Sequence, residues 1–290
     1  MSEYWTQRVR EVTGGLADFS PKYMLPDDYL SASSIFEYWT CPRLFEFRRI
    51  KGIPSPKTAA LVGGSAVHKA LEMAYLTKKE AGSEMPIEAF LSVFADSFDK
   101  GGADIEDWEG GDPGKIKDQG AALLLLYKDK IMPFVEPQEV EYEFVKVIDN
   151  SVPVVGRIDL IDAGLEQFKG VEPDPASPIN PAPDIELVDF KTAASRWSAD
   201  KVENDFQITL YAQMLGIPRT RFDLLVKTKT PYVYQARAIR DAKAGRWAEA
   251  LVVDVADGIN RGYFPRCAPD TWRCRPGKCP AWNLCRGAGK

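Results

Sequence analysis

Histidine is almost absent from this 290-residue chain, which carries only His68. That scarcity excludes a two-histidine zinc-protease helix, a histidine-rich zinc finger and a two-histidine iron site. Cysteine is sparse too, and its count of five is odd. The N-terminal MSEYWTQRVREV lacks the apolar stretch of a secretory signal, so a cytoplasmic protein without a disulfide framework is expected, its thiols buried or bound to metal. Long apolar runs are missing: the longest is seven residues, Ala121–Tyr127, so no membrane-spanning helix is expected. GxxxxGK[ST] is missing as well, so the chain is expected to carry no phosphate-loop motor. Neither sign of charge dominates, with 37 Lys+Arg against 42 Asp+Glu and a net charge of −5.

That balance hides a polarised layout. Residues 261–290 hold seven Lys/Arg and one acid, a segment of +6 on a body of −11. A basic tail that also carries cysteines and aromatics reads as an anion or nucleic-acid contact, or as a solvated tail. Residues 1–29 read as irregular, with Gly14-Gly15, Pro21 and Pro26. A helix is expected from Ser34, where Ser34 and Glu37 make a capping-box pattern. Further helices are expected over 60–80, entered through Gly63-Gly64, and over 85–100 and 115–135. The texture changes at Val140: VEYEFVKVI alternates, VPVVGRIDLID follows Asn150, and the pair reads as a hairpin. ELVDFKT (186–192) is a further strand. Between them 170–184 holds five prolines, which no sheet interior accommodates, so an exposed loop is expected. Residues 203–216 read as helix, RFDLLVKTKT and YVYQARAI as strands, and 241–260 as a last helix. The expected fold is α/β, a mixed central sheet flanked by helices, formed as a single domain over 1–290.

The chemistry starts at Asp189 and Lys191 in VDFKT. Residues i and i+2 of a strand share a face, so this carboxylate and this ammonium point the same way. The carboxylate can hold a hard divalent cation, and the lysine can hold a water or stabilise charge on a phosphate. Asp159 in GRIDLID can supply a second carboxylate from a neighbouring strand. A lone D-x-K pair is otherwise an ordinary surface ion pair. His68 lies on a helix with Glu72 at i+4, and Gln207 and Tyr211 share a face of the helix after VDFKT. Helix-face packing is the bland alternative for each. Cys274, Cys279 and Cys285 are spaced C-x4-C-x5-C, with Cys267 seven residues before them and Cys41 far upstream. Four thiolates would close a tetrahedral zinc site or carry an iron–sulfur cluster, and the absence of short C-x2-C knuckles favours the cluster.

Taken in order, these motifs resemble the RecB-like branch of the PD-(D/E)XK nucleases, above all the CRISPR-associated RecB-like exonucleases (the Cas-four type) and their phage-encoded relatives. LSASSIFEYWTCPRLFEF, GGSAVHKALE, GRIDLID, VDFKT, QITLY and CRPGKCPAWNLC match that family's segments across residues 30–285. The resemblance implies a restriction-endonuclease-like core over 60–260, with 30–60 and 261–290 jointly binding a cluster. It implies Mg²⁺ or Mn²⁺ held by His68, Asp159, Asp189 and the Phe190 carbonyl, with Lys191 positioning the attacking water. Gln207 and Tyr211 would contact DNA or brace the site. It implies a [4Fe–4S] cluster on Cys41, Cys274, Cys279 and Cys285, with zinc as the alternative, and Cys267 left over. Arg273 and Arg275 beside it would then be placed for a phosphate backbone. The activity implied is a metal-dependent DNA exonuclease acting on single strands or duplex ends in recombination, repair or CRISPR prespacer processing, with a helicase, recombination or adaptation protein as partner. A non-catalytic iron–sulfur or zinc DNA-binding subunit is the alternative. The proline-rich 170–184 departs from the family's short turn.

Overall fold

A computed structural model describes residues 2–20, 22–105, 108, 110–163 and 185–287. The expected loop 170–184 and Lys290 lie outside the described residues. In chain order the elements are α1 (Ser2–Gly14), β1 (Leu30–Ser31), α2 (Ala32–Thr40), α3 (Pro42–Phe45), α4 (Ala59–Ala81), α5 (Ile87–Gly102), α6 (Pro113–Lys130), β2 (Pro137–Ile148), β3 (Val152–Asp162), β4 (Glu186–Ala193), α7 (Ala199–Glu203), α8 (Phe206–Leu215), β5 (Arg219–Val226), β6 (Tyr232–Ile239) and α9 (Ala242–Asn260). The chain divides into two compact units: 1–56 with 143–156 and 245–290, and 57–142 with 157–244. Among the described residues no helix is long and apolar enough to cross a membrane.

In the first unit two sequence expectations are corrected. Residues 1–29 are not wholly irregular, because α1 occupies Ser2–Gly14. Its Trp5, Val9 and Val12 fall at i, i+4 and i+7 and pack with Val145, Val155 and Tyr29, a narrow stripe that Gly14-Gly15 and the prolines after it obscure. The second helix starts earlier than Ser34: Ser31 is the N-cap of α2, and Ser34 is its capping-box partner. Glu37 is freed from capping and lies buried, ion-paired to Arg48 and to Arg49 at 3.1 Å. The β2–β3 turn follows the expectation. Asp149 and Asn150 both have φ near +50°, and Ser151 N–H donates to the Ile148 carbonyl at 3.1 Å, the twist that joins antiparallel strands. Gly156 opens the GRIDLID motif because a Cβ there would lie 2.2 Å from the Phe144 ring.

The second unit carries the larger core. Ala66, Ala70 and Ala74 keep one side of α4 slim, so that Phe90, Phe94 and Phe98 of α5 and Leu123, Leu124 and Tyr127 of α6 pack beside it. Gly63 and Gly64, expected to precede this helix, lie inside it. Thr58 is its cap, and the bare backbone at Gly64 sits close to β4, where a Cβ would come 3.5 Å from Thr192 Oγ1. The sheet is mixed, as expected: β3–β4 antiparallel, β4–β5 parallel, β5–β6 antiparallel. Beneath it lies a buried charge network. Arg221 on β5 reaches Asp162 and Glu186 at 2.6 Å each and Asp223 at 2.9 Å. Tyr127 donates to Asp223 at 2.6 Å and shares a 2.8 Å bond with Tyr75. One arginine thus ties β3, β4 and β5 to each other, and through the tyrosines to α4 and α6. Removing it strands three buried carboxylates, a loss of about 3–5 kcal/mol.

Candidate active site

The β3–β4 ladder pairs Ile161 with Leu187 and Leu160 with Val188. Continuing that register sets Asp159 opposite Asp189. There the ladder opens, and Asp159 Oδ2 takes the Phe190 N–H at 2.7 Å in place of a strand partner. Two carboxylates therefore face each other at a gap between strands. Asp189 is nearly fully buried, with Lys191 Nζ 2.5 Å from its Oδ2 and Gln207 Nε2 donating to its Oδ1 at 3.1 Å. The Lys191 ammonium is thus the charged partner of Oδ2, and the Gln207 amide the neutral partner of Oδ1. Phe190 points to the opposite face, stacked on Tyr75 with ring centroids 5.9 Å apart. His68 on α4 stands edge-on to Phe190 and brings Nδ1 to 3.3 Å from Asp159 Oδ1.

One residue enters that the sequence reading missed. Ligand atoms of His68, Glu141 and Asp159 all lie within 4.8 Å of one another, the only such group of His, Cys, Asp or Glu among the described residues. Glu141 sits mid-strand in β2 with φ +49°, a conformation that costs energy for a side chain with a Cβ and that re-aims it out of the strand's alternation. Its counter-ion is Arg157 of GRIDLID, at 2.7 Å. In VEYEFVKVI the residue reads as one of several outward acids, so nothing in the pattern singles it out. An open cleft of about 440 Å³ is lined by His68, Lys69, Glu72, Glu141, Arg157 and Asp159. Tyr211 is buried on α8 and meets the Arg157 backbone, a bracing position.

The electrostatics follow from burial and crowding. Burial raises the Asp189 pKa to about 6; Lys191 lowers it and Asp159 raises it again. Burial likewise pushes Asp159 up, but the hydrogen bond and charge of His68, with Lys191 and the Phe190 N–H, hold it below the ordinary value. Glu141 rises to about 7, through burial and then the charge of Asp159, with Arg157 opposing. Burial alone would depress His68, and the bond to Asp159 and the charges of Asp159 and Asp189 raise it instead. Lys191 is held firmly protonated, since Asp189 and Asp159 outweigh its burial. The site thus holds a fixed ammonium beside carboxylates that share protons near neutrality, an arrangement that a divalent cation would relieve.

The cysteines gather in the first unit. Cys41 sits between α2 and α3, where Pro42 starts a new helical turn and Arg43 N–H donates to the Pro265 carbonyl at 3.1 Å. Cys41, Cys267, Cys274, Cys279 and Cys285 line one cavity with Leu44, Phe47 and Ala281. Cys267, the leftover of the sequence reading, is inside this nest. Burial and then hydrogen bonds with Cys41 and Cys274 push its pKa up to about 12. Arg286 Nε donates to Cys274 Sγ at 3.1 Å, and its Nη2 to the Cys267 carbonyl at 3.2 Å. Arg273 lines the cavity and lies over Trp272, 5.0 Å from its ring centre, while Arg275 is exposed. Clustered thiols with a cationic donor fit a sulfur-ligated metal group.

A family model described as the PD-(D/E)XK nuclease superfamily matches residues 29–286. Among solved structures, the chain is similar to a protein of Eubacterium rectale described as a candidate exonuclease, at 14% identity and a TM-score of 0.51, over 86% of this chain and 88% of that one. A protein described as SSO0001 matches over 98% of this chain and 95% of its own, at 14% identity and a TM-score of 0.40. No curated protein matches the chain.

Proposed function

The chain belongs to the PD-(D/E)XK nuclease superfamily, and from that premise we propose that it is a metal-dependent DNA exonuclease of the RecB-like branch, hydrolysing phosphodiester bonds on single strands or DNA ends. The observation that carries the reading is the meeting of Asp159, Asp189 and Lys191 at the opened β3–β4 ladder, with His68 on Asp159. His68, Asp159 and Asp189, with Glu141 and the Phe190 carbonyl, would hold Mg²⁺ or Mn²⁺. When bound, such an ion polarises a phosphoryl oxygen and acidifies a water. Lys191, kept charged, is suited to hold the attacking water or to stabilise charge on the phosphate. Gln207 fixes the orientation of Asp189, Arg157 neutralises Glu141, and Tyr211 steadies the Arg157 backbone.

Cys41, Cys274, Cys279 and Cys285 would hold the [4Fe–4S] cluster. What supports this reading is the gathering of these thiols in one cavity with Arg286 donating to Cys274. The cluster would staple residue 41 to residue 274, with Arg273 and Arg275 available to a DNA backbone. A helicase, recombination or CRISPR adaptation partner would supply the unwinding that a chain without a phosphate-loop motif is not expected to perform.

The test is digestion of end-labelled single- and double-stranded DNA with Mg²⁺ or Mn²⁺. Asp189→Ala and Lys191→Ala should each lose about 10²-fold or more in rate, and EDTA should stop the wild-type protein. Full activity in either variant, or indifference to EDTA, would overturn the mechanism.

A further inference from the structure

The strand that carries Lys191 is followed across the sheet by a row of aligned positions. The β4–β5 register sets Lys191 beside Leu224, and the β5–β6 register sets Leu224 beside Tyr234. Laterally paired residues share a face, so Lys191, Leu224 and Tyr234 point the same way. The next row is Ala193, Val226 and Tyr232. Strands lie about 4.8 Å apart, which puts Tyr234 about 10 Å from Lys191 along one surface.

On that surface the side chains form a stack that no step of the hydrolysis uses. The rings of Tyr232 and Tyr234 lie 6.1 Å apart, with planes 30° from parallel. The Arg196 guanidinium covers Tyr234 at 4.9 Å. The Tyr234 hydroxyl oxygen accepts the Trp197 N–H at 2.8 Å, which pins the 194–198 segment to β6. Trp197 in turn packs on Phe222 at 5.0 Å and carries the Lys201 ammonium 3.7 Å from its ring centre. Burial lowers the Lys201 pKa, Asp205 partly offsets this, and Lys191 lowers it again, as expected of two ammoniums on one surface. Arg196 and Lys201 are exposed, and among the described residues neither makes an ion pair with a carboxylate. Tyr232 is 36% exposed at the outer end of the stack.

Two cations without carboxylate partners, set among stacked aromatic rings, are the parts of a sequence-tolerant site for single-stranded nucleic acid. We propose that Tyr232, Tyr234, Arg196 and Lys201 hold the single strand beside the scissile phosphate: an unpaired base stacks on Tyr232, and Arg196 and Lys201 meet flanking phosphates. This rests on the deoxyribonuclease reading and names the strand state that its substrate must have. A duplex keeps its bases stacked inside and offers no π-face to Tyr232, so the site selects unpaired nucleotides.

The test is fluorescence anisotropy of a short labelled oligothymidylate, with Ca²⁺ as the only divalent ion so that binding is read without cutting. Tyr232→Ala and Arg196→Gln should each weaken binding roughly tenfold, and Tyr232→Phe, which keeps the ring, should bind like the wild-type protein. A blunt duplex of the same length should not distinguish Tyr232→Ala from wild type. Undiminished oligonucleotide binding in both weakened variants overturns the site, as does an equal loss on the duplex. The hydrolysis reading is scored separately. If the wild-type protein cuts no DNA with Mn²⁺ yet the variants lose oligonucleotide binding, the strand site stands and the nuclease reading falls. If wild type cuts while the variants bind normally, the reverse holds.

Discussion

His68, Glu141, Asp159, Asp189 and Lys191 are delivered by α4, β2, β3 and β4, regular elements braced from below by the buried Arg221 network. Cys267, Cys274 and Cys279 instead sit in turns and irregular chain after α9, and Cys41 in the joint between two helices. The carboxylate site draws its shape from hydrogen bonds and ion pairs among its own residues. The thiol nest has short backbone turns, a few apolar contacts and the reach of Arg286. On the proposed function, the first region would keep its form without its metal, and the second would depend on its metal for its form.

The largest effect expected from breaking this contrast is chemical. Lys191→Ala should lose about 10²-fold or more of DNA hydrolysis while its melting temperature stays close to that of wild type, because the lysine is part-exposed and supports no core. A large drop in melting temperature, seen by calorimetry, would mean that the site is also a structural staple. Next in size is the reverse experiment. Cys285→Ser should lose the visible absorption of anaerobically purified protein and about 10 °C or more of melting temperature. A colourless wild-type protein holding stoichiometric zinc, or a variant with unchanged spectrum and melting, would remove the cluster from the account.

How far the sequence foretold this contrast differs between the two regions. Strand periodicity places Asp189 and Lys191 on one face, and the β2–β3 hairpin follows from the alternation of VEYEFVKVI and the strand-like run after Asn150. Those are local signals, carried by neighbours in the chain. Glu141 was not legible, because its role depends on a left-handed φ inside an otherwise regular strand. Arg221 was hidden for a related reason: RFDLLV reads as an apolar strand, and only the fold brings Asp162, Glu186 and Asp223 to one arginine. Cys267 is a case that only the fold places. The family resemblance leaves it over, and the fold puts it in one cavity with the other four thiols. Helix α1 escaped because three apolar side chains in a polar stretch look like chance until Val145 and Val155 are seen beneath them.

A smaller effect comes from pH. Asp189 with a pKa of about 6, Glu141 with one of about 7, and His68 above its ordinary value must each release a proton before ligating a cation. All three shifts act in one direction, so metal affinity should rise with pH. Mn²⁺ binding followed by calorimetry should weaken at least about tenfold from about pH 8 to about pH 6, and a flat profile would deny these groups a place among the ligands. The smallest effect is expected at Glu141. Glu141→Gln keeps the shape, removes one charge and should weaken Mn²⁺ several-fold, with the pH profile losing its component near neutrality. Tighter binding in that variant would assign Glu141 to Arg157 alone.

The most direct measurement is an equilibrium Mn²⁺ titration of the wild-type protein and of Asp159→Asn, read by the loss of the free-ion electron paramagnetic resonance signal. Asp159 joins His68, Glu141 and the Phe190 N–H in one place, so its charge should be needed for binding. Mn²⁺ should bind to wild type, and binding should weaken by about tenfold or more in Asp159→Asn, with an unchanged far-ultraviolet circular dichroism spectrum. Equal Mn²⁺ affinity in the two proteins would contradict this role for Asp159.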